Sequence, residues 1–143
     1  MAITQLSAFL ENKPGTLAEA VAAISDAGIN MRALSVADTN EFGVLRVIVS
    51  DVPKTKEVLS ELTIASETPV IAVKMSDEAG SLKQILDILQ AADINIEYVY
   101  AFTSASAGNA YVVMRVDDVE GAEAELQKAG KETLSDEHLS DIL

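Results

Sequence analysis

The chain of 143 residues has no cysteine, which excludes disulfides and thiolate metal sites. Its single histidine, His138, sits among Asp136, Glu137 and Asp141 in the tail and reads as a surface residue. Basic residues are scarce: 10 Lys and Arg stand against 23 Asp and Glu, for a formal net charge of −13. A polyanion repels phosphate backbones, so neither nucleic acid nor an anionic membrane is expected as a partner. There is no apolar run long enough to span a bilayer, and the start reads as strand without a basic leader. The expectation is a soluble, cytoplasmic protein. Aromatics make up only 4% of the residues. Tyr98, Tyr100 and Phe102 share one strand face, where packing explains them better than a ligand cage. Also missing are a glycine-rich phosphate loop, a spaced Asp/Asn calcium loop, and a nucleophile with an orienting base. No metal, cofactor or catalytic residue is therefore expected.

What the chain does contain is a repeat. Asn12-Lys13-Pro14-Gly15-Thr16-Leu17 opens a helical pattern that ends at Gly28-Ile29-Asn30-Met31. Asp77-Glu78-Ala79-Gly80-Ser81-Leu82 opens another, which ends at Asp93-Ile94-Asn95-Ile96, at a constant offset of 65 residues. Further on the offset is 67, aligning Val49-Ser50-Asp51-Val52 with Val116-Asp117-Asp118-Val119. A unit of this length suits a small α+β module and is too long for a solenoid repeat. Two copies fill the chain, dividing it into residues 1–67 and 68–143, with Ser66-Glu67-Thr68-Pro69 as a short connection.

Each copy reads as βαββαβ. In the first, Ile3–Leu10 is a strand, and Thr16 is placed to cap a helix with Glu19 at capping-box spacing. Leu17, Ala20, Val21, Ile24 and Ala27 form its apolar face, and Gly28 stops it. Met31–Asp38 and Val44–Val49 are strands around a hairpin loop at Asp38–Gly43. Asp51-Val52-Pro53 starts a second helix with Val58, Leu59 and Leu62 inward. Thr63–Ala65 is a short closing strand. In the second copy Val70–Met75 is a strand, and Ser81–Ala92 a helix with Leu82, Ile85, Leu86 and Leu89 inward. Ile96–Thr103 and Ala110–Val116 are strands, Glu120–Ala129 is a helix stopped by Gly130, and Lys131–Leu134 is a last strand. This order builds a ferredoxin-like fold, an antiparallel sheet with helices on one face. The fold class is α+β.

The middle strands are apolar on both faces. Leu45, Val47 and Val49 alternate with Val44 and Ile48, and Val112, Met114 and Val116 with Tyr111 and Val113. Helices cover one face of such a sheet, and an outer face open to water should be polar. A second chain covering that face, in a homodimer, is the expected solution.

The repeated turn-plus-glycine motif, in this element order, resembles the ACT domain, a small ligand-binding regulatory module of amino-acid metabolic enzymes. The chain as a whole looks like a stand-alone tandem ACT protein. The resemblance implies a non-catalytic sensor in which a free amino acid is held between modules. Its ligand residues would be Asn12, Pro14, Gly15, Thr16 and Leu17 of the first loop with Asn30 and Met31 of the following strand. The second set would be Asp77, Gly80, Ser81 and Leu82 with Asn95 and Ile96. An amino-acid biosynthetic enzyme is the partner it suggests. The physics suits the assignment: glycine lets a ligand approach the backbone, a helix start attracts a carboxylate, and asparagine both donates and accepts. Ala79 replaces the proline of the first loop, and Asp77-Glu78 reverses the charge of Asn12-Lys13, so the two loops should not bind alike. Two other readings stand beside this one: a dimerisation module that meets a partner enzyme without binding a ligand, and an enzyme built on the same frame.

Overall fold

The computed structural model describes residues 2–38, 42–103 and 108–137. Part of the hairpin loop read at Asp38–Gly43, and His138 with Asp141, lie outside the described residues. Contacts divide the chain into two compact units, Thr4–Thr68 and Pro69–Leu143 with Met1–Ile3.

The first unit is built from β1 (Ile3–Glu11), α1 (Thr16–Asp26), β2 (Met31–Asp38), β3 (Phe42–Val49), α2 (Val52–Leu59) and the start of β4 (Ala65–Ser76). β3 lies between β2 and β1, antiparallel to both. Leu6, Ala8 and Leu10 of β1 and Leu45, Val47 and Val49 of β3 point to one face. There they pack on Ala20 and Ile24 of α1 and Leu59 of α2, all buried. The strand period of two selects that set and leaves Phe9, Val44 and Ile48 on the other face. Asp51 caps α2, its carboxylate accepting from the Lys54 N–H at 3.1 Å, and Pro53 occupies the first turn.

The second unit repeats the plan with the rest of β4, α3 (Ser81–Ala91), β5 (Ile96–Thr103), β6 (Asn109–Val116) and α4 (Val119–Lys128). β6 runs antiparallel between β4 and β5. Ile71, Val73, Val112, Met114 and Val116 pack on Ile85, Leu89, Ala122 and Leu126 of the helices. Asp118 caps α4 as Asp51 caps α2, accepting from the Gly121 N–H at 3.0 Å. The strand read at Lys131–Leu134 is reduced to a bridge between Thr133 and Val73. Where α1 is followed by Gly28 at φ 74°, α3 is followed by Asp93 at φ 58°. A short polar side chain tolerates the left-handed conformation that glycine takes freely.

Several details differ from the sequence reading. The units divide at Thr68-Pro69, inside the Ser66–Pro69 segment, but the connection is extended: β4 runs unbroken from Ala65 to Ser76. The residue before a proline favours extended backbone, so Thr68-Pro69 continues a strand as easily as it turns. Thr63 and Ile64 are outside any strand, and Leu62 lies beyond the end of α2, exposed rather than inward. Leu17 and Leu82 stand exposed in the first turns of α1 and α3, because the buried stripes begin only at Ala20 and Ile85. Ile48, Tyr111 and Val113, on the faces away from the helices, are buried within the single chain.

Replacing Asp51 by Ala leaves the α2 N-terminus uncapped. Stability should fall by about 1 kcal/mol, as for other carboxylate caps. Urea denaturation of wild type and Asp51→Ala measures this, and an unchanged midpoint would show that the cap contributes nothing.

Candidate functional site

Both repeated loops fold in the same way. Gly15 and Gly80 are the N-caps of α1 and α3, with φ of 92° and 90°, in the left-handed region open to glycine. Thr16 is therefore not the cap, and no side chain caps α1. Its hydroxyl turns back instead and donates to the Glu11 carbonyl at 2.6 Å and the Lys13 carbonyl at 3.1 Å. Ser81 ties the second loop through its hydroxyl, 2.6 Å from that of Ser76. A helix start without a side-chain cap keeps unsatisfied N–H groups turned outward, an arrangement that favours anions.

A cleft of about 520 Å³ in the first unit lies at this loop. Phe9, Leu10 and Glu11 of β1, Lys13 and Thr16 of the loop, Glu19, Phe42, and Leu62-Thr63-Ile64 line it. Its volume falls in the range of small-molecule sites, roughly 300–1,000 Å³. Thr63 holds the wall in place, its hydroxyl donating to the Phe9 carbonyl at 2.6 Å. The rim carries both signs of charge. The Lys13 ammonium and Glu11 carboxylate pair at 2.7 Å, and both side chains are exposed. The hydrogen bond from Lys13, and then its charge, hold the Glu11 carboxyl below its ordinary range. Reciprocally, Glu11 raises Lys13, with a further contribution from Glu19.

Of the residues expected at the first site, only Thr16 lines the cleft. Asn12, Pro14, Gly15 and Leu17 form the adjoining turn and are exposed. Asn30 and Met31 are elsewhere in the unit. α1 has 11 residues, so its two ends stand about 16 Å apart. The main chain of Asn30 is held by Ser50, through a bond from the Asn30 N–H to the Ser50 hydroxyl and one from the Ser50 N–H to the Asn30 carbonyl, each 3.0 Å. Asn95 is held likewise, its N–H donating to the Asp117 carboxylate at 3.0 Å. Asn95 and Ile96 line a separate cleft of about 430 Å³ with Leu86, Gln90, Asp93 and Ile94. Asp77, Gly80, Ser81 and Leu82 line neither this cleft nor the one at the end of β4. Loop and asparagine thus fall at opposite ends of each unit.

Phe9, Glu11, Lys13, Glu19, Phe42, Leu62 and Ile64 line this cleft and were not among the ligand residues expected from the sequence. A signal was available in the repeat itself, at the positions where the two copies differ most in polarity. Among the described residues no group of three or more acidic or histidine side chains is placed to hold a metal ion. No described helix is long and apolar enough to cross a membrane.

The model of a family described as the ACT domain pair matches residues 1–143. The fold is similar to that of protein BT0572 from Bacteroides thetaiotaomicron, at 34% identity and a TM-score of 0.90, over 97% of this chain and 96% of that one. It is also similar to the ligand-free regulatory subunit of aspartate kinase from Thermus thermophilus, at 18% identity and a TM-score of 0.66, over 89% and 90% of the two chains. A structure of aspartokinase alpha and beta subunits matches at 21% identity and a TM-score of 0.60, over 88% and 90%. No curated protein sequence matches.

The Glu11–Lys13 pair makes a direct prediction. A carboxyl whose folded pKa is lowered contributes stability above the ordinary carboxylate range and loses it as pH falls through the lowered value. By NMR titration the Glu11 carboxyl should titrate below the ordinary glutamate range, and Lys13→Ala should return it to that range. A Glu11 titration that Lys13→Ala leaves unmoved would rule the pair out in solution.

Proposed function

We propose a function from one premise: the chain belongs to the ACT domain pair family. It is a non-catalytic regulatory protein that binds a free amino acid and, in response, acts on a partner enzyme of amino-acid metabolism. The observation that carries this reading is the cleft at the Gly15 loop, where Glu11, Lys13 and Glu19 set both charge signs beside Thr16 and an apolar wall. A zwitterion needs both signs close together. Lys13 and the start of α1 suit its carboxylate, and Glu11 and Glu19 suit its ammonium. The absence of any nucleophile–base pair in the sequence supports a role without catalysis. The name of the Thermus thermophilus structure that shares the fold, a regulatory subunit of aspartate kinase, supports the regulatory half of the reading by analogy. An acidic chain without cysteine is consistent with a cytoplasmic setting.

Asn12, Pro14, Gly15 and Leu17 enter the proposal as the turn that shapes the cleft mouth. Asn30, Met31, Asn95 and Ile96 would touch such a ligand only where one unit's strand start meets another unit's loop. The homodimer rests on a different surface from the one expected. β2 ends the strand order, and its Leu34 and Val36 are exposed, the kind of edge that invites pairing with another copy. Sedimentation at micromolar concentration should show the dimer, and Val36→Lys should dissociate it. A wild-type monomer throughout would remove this part.

A thermal-shift screen against the twenty amino acids tests the sensor reading. A ligand at a hundred times its dissociation constant should stabilise by about 2.7 kcal/mol. Lys13→Ala should then weaken binding by about ten- to a hundredfold in calorimetric titration, the cost of one charged hydrogen bond. If no amino acid binds at millimolar concentration, the reading of a dimerisation module without a ligand replaces it.

A further inference from the structure

The two units place the same fold position under two different chemistries. Register fixes the equivalence. Glu11 pairs with Phe42 in the first unit as Ser76 pairs with Asn109 in the second. Phe9 pairs with Val44 as Lys74 pairs with Tyr111. The cleft at the Gly15 loop thus has a counterpart of about 310 Å³, lined by Lys74, Met75, Ser76, Asn109, Gly130, Lys131 and Glu132. By the repeat, Phe9, Phe42 and Ile64 of the first cleft stand where Lys74, Asn109 and Lys131 stand in the second.

The fold does not need apolar side chains at these positions, since the second unit does without them. Yet the first unit exposes them: Phe9 is 60% exposed, Phe42 48%, Leu62 46% and Ile64 85%. Four large apolar side chains around one cleft are an exposure that a fold without a use for it would avoid. The charged rim differs in the same way. Glu11, Lys13 and Glu19 correspond to Ser76, Glu78 and Gln84, so the second rim lacks the paired charges that match a zwitterion. Gln84 is moreover engaged, accepting from the Lys131 ammonium at 3.0 Å.

We propose that the first unit alone carries the amino-acid site, and that this site selects amino acids with large apolar side chains. The inference rests on the sensor reading and narrows it. The ligand's α-ammonium and α-carboxylate meet the Glu11, Glu19 and Lys13 rim, and its side chain lies against Phe9, Phe42, Leu62 and Ile64. That contact removes apolar surface from water on both sides, which a polar side chain cannot do. The cleft of the second unit, with two lysines and an asparagine, gives such a side chain Met75 alone as a large apolar contact.

The test uses the full chain and two variants that carry the second unit's residue in the first, Phe42→Asn and Ile64→Lys. The second unit folds with these residues at the same positions, and Ile64 is almost fully exposed, so Ile64→Lys is the variant least able to disturb folding. Calorimetric titration compares L-leucine, L-isoleucine and L-phenylalanine with L-serine, L-aspartate and L-lysine. The expected result is one apolar amino acid bound per chain, with the polar ones at least tenfold weaker. Each variant should lose at least tenfold in apolar affinity while its ligand-free melting temperature stays near wild type. Preferred binding of a polar amino acid, two equal sites per chain, or unchanged affinity in both variants would overturn this proposal and leave the sensor reading standing. If no amino acid binds, both fall together. If instead the wild type self-associates by light scattering and Ile64→Lys abolishes it, the apolar wall is a contact between copies and the proposal is wrong.

Discussion

The antiparallel register of β1 against β3, repeated in β4 against β6, governs what each unit can present. Side chains along a strand alternate in direction, so one pairing decides both core and surface. With Ala8 opposite Leu45 and Leu6 opposite Val47, the small and branched residues meet under the helices. The same register sends Phe9 and Val44 to the other side and brings Phe42 beside Glu11 at the strand end. A slip of β1 by one residue would bury Phe9 and expose Ala8 and Leu10. The cleft wall and the core are thus two consequences of one set of hydrogen bonds.

The loop between β1 and α1 is shaped by a second, local constraint. Gly15 takes a positive φ at the N-cap, which lets the chain turn sharply into the helix without a capping side chain. Thr16 makes up for this by bonding backward to the end of β1. The helix start consequently remains turned outward beside the Glu11–Lys13 pair. The second loop has the same backbone but a different tie, between two serine hydroxyls. Similar geometry with different side chains is what lets two copies of one module diverge in chemistry while keeping one fold.

The repeat is also informative about which residues the fold requires. Positions that stay apolar in both copies, such as Ile24 and Leu89 or Leu59 and Leu126, are buried in both. Phe42 and Asn109, or Ile64 and Lys131, differ freely because neither is needed by a core. An internal repeat therefore serves as its own control, separating residues kept for packing from residues that are open to function.

The sequence by itself determined the repeat, the βαββαβ order, the helix that opens at Ser81, and the helix that begins at Asp51-Val52-Pro53. These rest on local chemistry: glycine punctuation, helical and strand periodicity, and the preference of Asp and Pro for a first turn. It also marked the Gly15 loop as a place of interest. It misjudged Leu17, Leu62 and Leu82, because periodicity says which face a residue takes but not where along a helix the buried stripe begins and ends. It grouped Asn30 with the loop in one ligand set held between modules; within the unit the 11 residues of α1 hold the two apart. It read Ser66–Pro69 as a short connection, where the units do divide, without showing that the connection is strand, because that composition suits a loop and a strand equally. Only the tertiary structure decided that Phe9, Phe42, Leu62 and Ile64 come together, since they lie on three segments spread over 56 residues of chain. Their meeting depends on strand pairing and on the path of the chain after α2, which are long-range contacts that no local pattern encodes.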